Sequence, residues 1–280
     1  MTLHLNPVVR LPRMSVAQDV FAAGERVVPE ETPIAFTYNG TAHAVMMATP
    51  ADLEDFAVGF SLSEGIVRSP DDLVSMEIVE HDLGCEVRMW LSEACGGSYK
   101  ARRRALAGPV GCGLCGIESL AEAARNADPV RSDVRLAPDA IVSAMAALSE
   151  AQCLNREASA IHAAAFWRPG RGLDALREDV GRHNALDKLA GALARSTVKA
   201  CDGIVLLTSR VSVEMVQKAA RMGVPVLAAI SAPTALAVRV AQGCGITLVA
   251  VARGDSFEVF THPHRISRRD EKVALPAVAG

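Results

Sequence analysis

The fold is decided by residues 203–252, which read GIVLLTSRVSVEMVQKAARMGVPVLAAISAPTALAVRVAQGCGITLVAVA. Three uninterrupted apolar runs alternate here with amphipathic segments. The runs are 204–208, 224–230 and 246–252. Continuous runs of Ile, Val, Leu and Ala are typical of strands buried on both faces, and the intervening helices end at Gly223 and Gly243. The stretch therefore predicts a largely parallel sheet covered on both faces by helices.

The same alternation extends in both directions from this stretch. The predicted elements are helix 138–151, strands 159–167 and 173–178, helices 184–194, 213–222 and 234–242, and strand 257–261. Helices alternating with buried strands indicate an α/β sandwich.

The N-terminal part shows a different pattern. Strand-like runs at 34–38 and 42–47 flank Asn39-Gly40, a pair that favours a type I′ hairpin turn. A helix is predicted over 51–64, where apolar residues recur at helical spacing. Two short strands, 75–80 and 86–91, follow it. The fold class is thus α/β, with a smaller N-terminal α+β domain.

These patterns predict five segments along the chain. They are an irregular leader (1–29), the N-terminal α+β domain (30–111), a cysteine loop with a linking helix (112–137), the α/β domain (138–266) and a tail (267–280). The polar, basic end of the second segment, 92–111, is predicted to be a mobile connection.

Composition excludes several functional classes. The 280 residues include 29 Lys and Arg against 32 Asp and Glu, a net charge of −3. The protein as a whole therefore has no positive electrostatic potential that would attract nucleic acid or anionic membranes. No apolar run approaches the roughly 20 residues of a membrane-spanning helix. The first 20 residues lack the apolar core of a signal peptide, and the seven cysteines do not resemble the dense framework of a small secreted domain. We expect a cytoplasmic protein with reduced cysteines.

Residues 111–116, Gly-Cys-Gly-Leu-Cys-Gly, are the sharpest chemical signal. Glycines expose the sulfurs of Cys112 and Cys115, and a predicted helix over 117–127 begins beside Cys115. A helix N-terminus and the basic run 102–104 both favour a thiolate. Such a thiolate could attack a sulfur donor, form a disulfide or bind a soft metal; the alternative is two unreactive thiols in a surface loop.

Two other interpretations of this motif are weaker. Structural zinc needs about four ligands, and only one Cys-x-x-Cys pair exists, so we expect no metal site. A thioredoxin-like site would follow a strand directly, whereas the segment before Cys112 is polar and basic.

A second candidate site begins at the junction of strand 173–178 and the next helix. Arg182, His183 and Asn184 lie there beside a glycine, an arrangement that presents donors to an anion. Alternatively, Asp179 or Asn184 caps the helix and Arg182 is solvated.

Two further junctions carry polar residues at the ends of predicted parallel strands. Ser209, Arg210 and Ser212 follow one strand, and Ser231 to Thr234 follow the next. Ligands of open α/β sheets bind beyond the carboxyl ends of the strands. We therefore expect these junctions to line one shared ligand-binding region, the mouth. Hydroxyl caps would explain Ser212 and Thr234, but not Arg210.

Residues 253–256 and His162 could be functional, but each also has an ordinary structural explanation. Residues 253–256 could form a plain hairpin turn. His162 lies in an apolar run, where a satisfied core histidine is the more common arrangement.

The chain resembles the FdhD family of formate dehydrogenase accessory sulfurtransferases. The matching segments are Asn39-Gly40, Thr49-Pro50 to Gly65, Cys112 to Gly116, Glu178 to Lys188, Ser209 to Met215, Ser231 to Thr234 and Thr261 to Pro263. They cover nearly all of residues 30–266.

The resemblance implies a sulfur carrier. Such a protein takes persulfide sulfur from a cysteine desulfurase and passes it to the molybdenum bis(molybdopterin guanine dinucleotide) cofactor of formate dehydrogenase. Cys112 would bear the persulfide and Cys115 would be its partner. The resemblance places further cofactor-binding residues in one segment: Val251, Ala252, Arg253, Gly254, Asp255 and Ser256. We also expect a homodimer.

The resemblance further implies a cytidine-deaminase-like α/β domain. Deaminases hold zinc with His-x-Glu at one helix start and Pro-Cys-x-x-Cys at the next. This chain has Arg182-His183-Asn184 and residues 209–212 in those places, so zinc deamination is not expected. The same mouth is available for an anionic nucleotide.

Two functions therefore compete. The favoured one is a sulfur carrier whose cysteine loop reaches cofactor held at the strand ends. The alternative is a chaperone that holds the guanine dinucleotide cofactor, with Cys-x-x-Cys acting only as a redox or metal switch. No other candidate nucleophile is evident, which favours the carrier.

Overall fold

The computed structural model describes residues 6–106 and 129–266. The N-terminal elements are β1 (Val8–Ala17), β2 (Val20–Pro29), β3 (Thr32–Tyr38), β4 (Thr41–Ala48), α1 (Leu53–Ser63), β5 (Leu73–His81), β6 (Gly84–Leu91) and α2 (Glu93–Leu106). The later elements are α3 (Pro138–Ala151), α4 (Cys153–Ala158), β7 (His162–Arg168), β8 (Gly172–Asp179), α5 (Arg182–Ala194), β9 (Ile204–Leu207), α6 (Val213–Arg221), β10 (Val226–Ala229), α7 (Ala235–Gly243), β11 (Thr247–Arg253) and β12 (Ser256–Val259).

The larger unit is a six-stranded sheet in the order β12-β11-β10-β9-β7-β8. Alternate side chains of its buried strands point to opposite faces. One face packs against α5, α6 and α7, and the other packs against α3. This is the predicted α/β sandwich, with helices and strands in the predicted order.

The smaller unit is a four-stranded sheet in the order β4-β3-β6-β5. Asn39 and Gly40 have φ values of 50° and 73°, as the predicted hairpin turn requires. The inner face packs on α1 around Phe36, Phe56 and Phe60. The predicted fold class, including the smaller α+β unit, is confirmed.

The expected irregular leader is wrong where the structure describes it. Residues 8–29 form a two-stranded antiparallel hairpin, β1-β2. Its turn has positive φ at Gln18 (48°) and Asp19 (65°), without the Gly or Asn that would have indicated it. Pro12 suggested irregular chain, but proline is tolerated in a strand that has an open edge.

The mobile connection predicted over 92–111 is also wrong in its described part, because Glu93–Leu106 is helix α2. Gly96 and Gly97 lower helix propensity. Burial of Tyr99 in the N-terminal core outweighs that cost.

The main sheet is more mixed than expected. Only β9, β10 and β11 are mutually parallel; β7 runs antiparallel to β9, and β12 to β11. A tight β7-β8 turn, with positive φ at Gly170 and Gly172, forces that pair to be antiparallel.

Candidate functional site

The carboxyl ends of the parallel strands form one continuous edge. Val211 and Pro233 make a parallel bridge, and Thr234 N donates to Val211 O at 3.0 Å. Val251 N approaches Ser231 O at 3.4 Å. The junctions after β9 and β10 are therefore joined to each other and to the end of β11, as the sequence predicted.

The β7-β8 pair completes this edge. His162, the first residue of β7, lies opposite Asp179, the last residue of β8. Thr208 connects β7 to β9, because its Oγ1 accepts from Ala163 N at 2.8 Å and its N donates to Ala163 O at 3.1 Å. His162 therefore lies at the mouth, between the Arg182 junction and the Ser209 junction.

Arg182 and His183 occupy the first turn of α5. The helix is preceded by Gly181, whose position offers no side-chain cap. Among the residues that the structure describes, the buried Nε of Arg182 and Nε2 of His183 have no hydrogen-bond partner. An unpaired guanidinium N–H and an unpaired imidazole nitrogen at a helix N-terminus provide a favourable place for an anion.

The charge of Arg182 affects both neighbouring histidines. Burial, and then the Arg182 guanidinium, lowers the pKa of His162, while Asp179 opposes the shift. Burial and Arg182 also lower the pKa of His183, with a smaller contribution from Lys218 and opposition from the exposed Glu214. Burial is thus the main reason that imidazolium is disfavoured here, and the Arg182 guanidinium adds a positive charge that can pair with an anionic ligand.

Asn184 is not a free donor. Its Nδ2 donates to Met47 O at 2.8 Å and to Asp179 Oδ1 at 2.9 Å, so both amide hydrogens are used within the protein. Only its Oδ1 is left for the predicted role in cofactor binding, which stays a prediction.

The residues predicted to bind cofactor at the junction after β9 differ from one another in their exposure to solvent. Ser209 is buried, and its Oγ donates to Arg210 O at 3.0 Å. Arg210 is exposed, and Ser212 precedes α6 without making a side-chain cap. Arg210 is therefore the residue of this junction best placed to reach a ligand from solvent.

The predicted segment 251–256 lies at the far side of the mouth. Val251 has φ of 51°, within an irregular register between β11 and β12. A β-branched residue in this left-handed region is strained, and such strain is concentrated at functional sites. Ala252 is buried in the core below.

The rest of the segment, Arg253 to Ser256, forms the turn between β11 and β12. This is the hairpin turn that the sequence offered as an alternative to a binding segment. Its four residues are exposed. Arg253 Nε donates to Ile230 O at 3.2 Å, which holds the turn against the β10 junction. A turn tied to this edge can still contribute to binding.

Cys112 and Cys115 lie outside the described residues. Among the described cysteines, burial raises the pKa of Cys85, Cys95 and Cys201. Cys95 Sγ also donates to Ile66 O at 2.9 Å. These three thiols are poor nucleophiles at neutral pH.

Within 6–106 and 129–266, no group of three or more His, Cys, Asp or Glu is arranged to hold a metal ion. No helix in these ranges is long and apolar enough to cross a membrane.

Sequence reasoning missed two contributors to the mouth. For His162 the sequence favoured a core position, but the residue is only partly buried and begins β7 at this edge. Thr49, from the β4-α1 connection, reaches the loop before α5 across more than 100 residues of sequence: its N lies 3.0 Å from Asp179 Oδ2. A Thr-Pro pair before a helix gave no signal of that contact.

Comparison with known proteins identifies close relatives. The sequence model of the FdhD/NarQ family matches residues 29–267. The chain is 55% identical over 260 residues to the sulfur carrier protein FdhD of Agrobacterium fabrum, covering 92% of this chain and 95% of that one. It is 54% identical over 247 residues to the protein of the same name from Brucella abortus, covering 88% and 92%.

A solved structure is similar throughout. A crystal structure from Desulfotalea psychrophila, described as a formate dehydrogenase accessory protein, superposes with a TM-score of 0.72 at 25% identity. The match covers 93% of this chain and 99% of that one.

Proposed function

The chain belongs to the FdhD/NarQ family, and we propose on this basis that it is a sulfur carrier for formate dehydrogenase maturation. It takes persulfide sulfur from a cysteine desulfurase and delivers it to the molybdenum bis(molybdopterin guanine dinucleotide) cofactor. The observation that carries the proposal is the pair of unpartnered buried nitrogens, Arg182 Nε and His183 Nε2, at the edge where the strand ends meet.

The first step belongs to the cysteine motif. A thiolate at Cys112 attacks the outer sulfur of the desulfurase persulfide, and the sulfur–sulfur bond of the donor breaks. The desulfurase cysteine leaves as a thiolate, and Cys112 becomes Cys–S–SH. Cys115, three residues later in the sequence, would be its partner thiol. The raised pKa values of Cys85, Cys95 and Cys201 make those thiols less suitable for this attack.

The second step needs the cofactor to be held near the carrier. Arg182 and His183 would bind one phosphate group, and Arg210 a second anionic group. From β8 to β9, the strands that these residues follow, the edge crosses two strand spacings, or roughly 10 Å. A ligand with more than one anionic group, such as a guanine nucleotide, suits two groups of donors at this separation.

Titration of the protein with GDP tests the binding half of the proposal. We expect Arg210→Ala and Arg182→Ala each to weaken GDP binding about tenfold or more, because each removes a charged hydrogen bond worth roughly 1.5–3 kcal/mol. Arg171→Ala is the matched control, since Arg171 is an exposed arginine in the β7-β8 turn at the opposite edge of the sheet. Equal affinities in all four proteins would remove both arginines from the site.

A further inference from the structure

Thr49 makes three hydrogen bonds to the segment that presents Arg182 and His183. Its N donates to Asp179 Oδ2 at 3.0 Å, its O accepts from Lys188 Nζ at 2.9 Å, and its Oγ1 accepts from Val180 N at 3.1 Å. Thr49 is completely buried. A single residue of the N-terminal unit therefore contacts the end of β8, the loop after it and the second turn of α5, each through a different polar group.

Asp179 extends this contact along the loop. One carboxylate oxygen accepts from Gly181 N at 2.7 Å and from Asn184 Nδ2 at 2.9 Å. The other, besides Thr49 N, lies 2.7 Å from Lys188 Nζ. The carboxylate thus connects the start of the loop to the first and second turns of α5.

The ion pair in this cluster has no exposed surface. Asp179 and Lys188 side chains are both 0% exposed. Burial lowers the pKa of Lys188, and the Asp179 carboxylate opposes that change. Charges removed from water this completely need all of their hydrogen bonds, so the positions of the surrounding groups are narrowly defined.

Arg182 and His183 lie between Asp179 and Lys188 in the sequence, and neither is a member of this buried cluster. We propose that Thr49 is a positioning residue, through which the N-terminal unit sets the geometry of the anion-binding donors. This inference rests on the proposed function of the mouth. It assigns a role in ligand binding to a fully buried side chain, which acts through the residues that it positions.

The test compares isosteric and conservative variants of Thr49. Thr49→Val removes only the hydroxyl acceptor of Val180 N, and we expect GDP affinity to fall roughly three- to tenfold, the loss of one hydrogen bond. Thr49→Ser keeps the hydroxyl and should bind within about twofold of the wild type. Arg195→Gln is the control: it breaks the ion pairs of Arg195 with Glu54 and Asp55 between the same two units, away from the loop. It should lower the melting temperature and leave GDP affinity unchanged.

A second readout does not depend on GDP. The side-chain titration of His183, followed by NMR, should shift to higher pH in Thr49→Val and not in Arg195→Gln, because a loosened loop admits water. Wild-type affinity and an unchanged His183 titration in Thr49→Val would overturn the inference, as would an equal loss of GDP affinity in Arg195→Gln. Failure of the wild type to bind GDP would instead contradict the proposed function, while the His183 titration still decides the role of Thr49.

Discussion

Burial, reinforced by one neighbouring arginine, disfavours protonation of His162 and His183. Both rings lie close to Arg182, and burial together with that charge lowers the pKa of each. Both are therefore held neutral at neutral pH. An anion that pairs with Arg182 would remove part of this effect and make protonation easier.

The sign of the resulting pH dependence follows from proton linkage. Because the histidine pKa values are lower in the folded protein than in the unfolded chain, the unfolded chain binds more protons as the pH falls below about 6.5. We expect the free energy of unfolding to decrease over that range, and His183→Gln to reduce the decrease. Urea denaturation at several pH values measures this. A slope that is identical in wild type and variant would show that His183 titrates normally in the folded protein.

The crossing of α1 and α5 fixes the two units against each other. A Cβ added to Gly59 would lie 1.7 Å from Asp187 O, and one added to Gly191 would lie 1.9 Å from Asp55 O. Only glycine permits this backbone approach. The close crossing also brings Thr49, just before α1, next to the loop that precedes α5.

Gly59→Ala and Gly191→Ala should each destabilise the protein by roughly 1–3 kcal/mol or more, the usual cost of overpacking, although alanine favours a helix. Gly97→Ala in α2 is the matched control, because an added Cβ there has open space. It should stabilise the protein by about 0.5–1 kcal/mol. Thermal unfolding of the three variants compares them, and a stable Gly59→Ala protein would mean that the helices cross at a greater distance.

On the scale of the whole molecule, the sequence predicted those parts of the fold that depend only on local residue patterns. Unbroken apolar runs located β9, β10 and β11, and Asn39-Gly40 located the first hairpin of the N-terminal sheet. The ends of the parallel strands then predicted the mouth, including Arg182 and Arg210. Rules of strand direction and helix termini suffice for these features.

Contacts between distant segments could not be predicted in this way. The hairpin formed by residues 8–29 has no glycine turn, and α2 contains two adjacent glycines. The Thr49 contact with Asp179 spans 130 residues and depends on how two units pack. The place of His162 at the mouth likewise depends on the pairing of β7 with β8 and β9, which the sequence does not reveal.

Sulfur loading and cofactor binding should be separable in this architecture. The cysteine motif lies between the two units in the sequence, whereas the anion donors belong to the edge of the main sheet. Cys112→Ala should therefore bind GDP normally and fail to deliver sulfur. Arg210→Ala should accept sulfur and deliver it poorly.

The most direct measurement is intact mass and peptide mass spectrometry after incubation with a cysteine desulfurase and cysteine, paired with activation of formate dehydrogenase. We expect one added sulfur atom on a peptide containing Cys112 or Cys115, and loss of both loading and activation in Cys112→Ala. Normal activation by Cys112→Ala and Cys115→Ala alike would contradict the sulfur-carrier mechanism and favour a chaperone that only holds the cofactor.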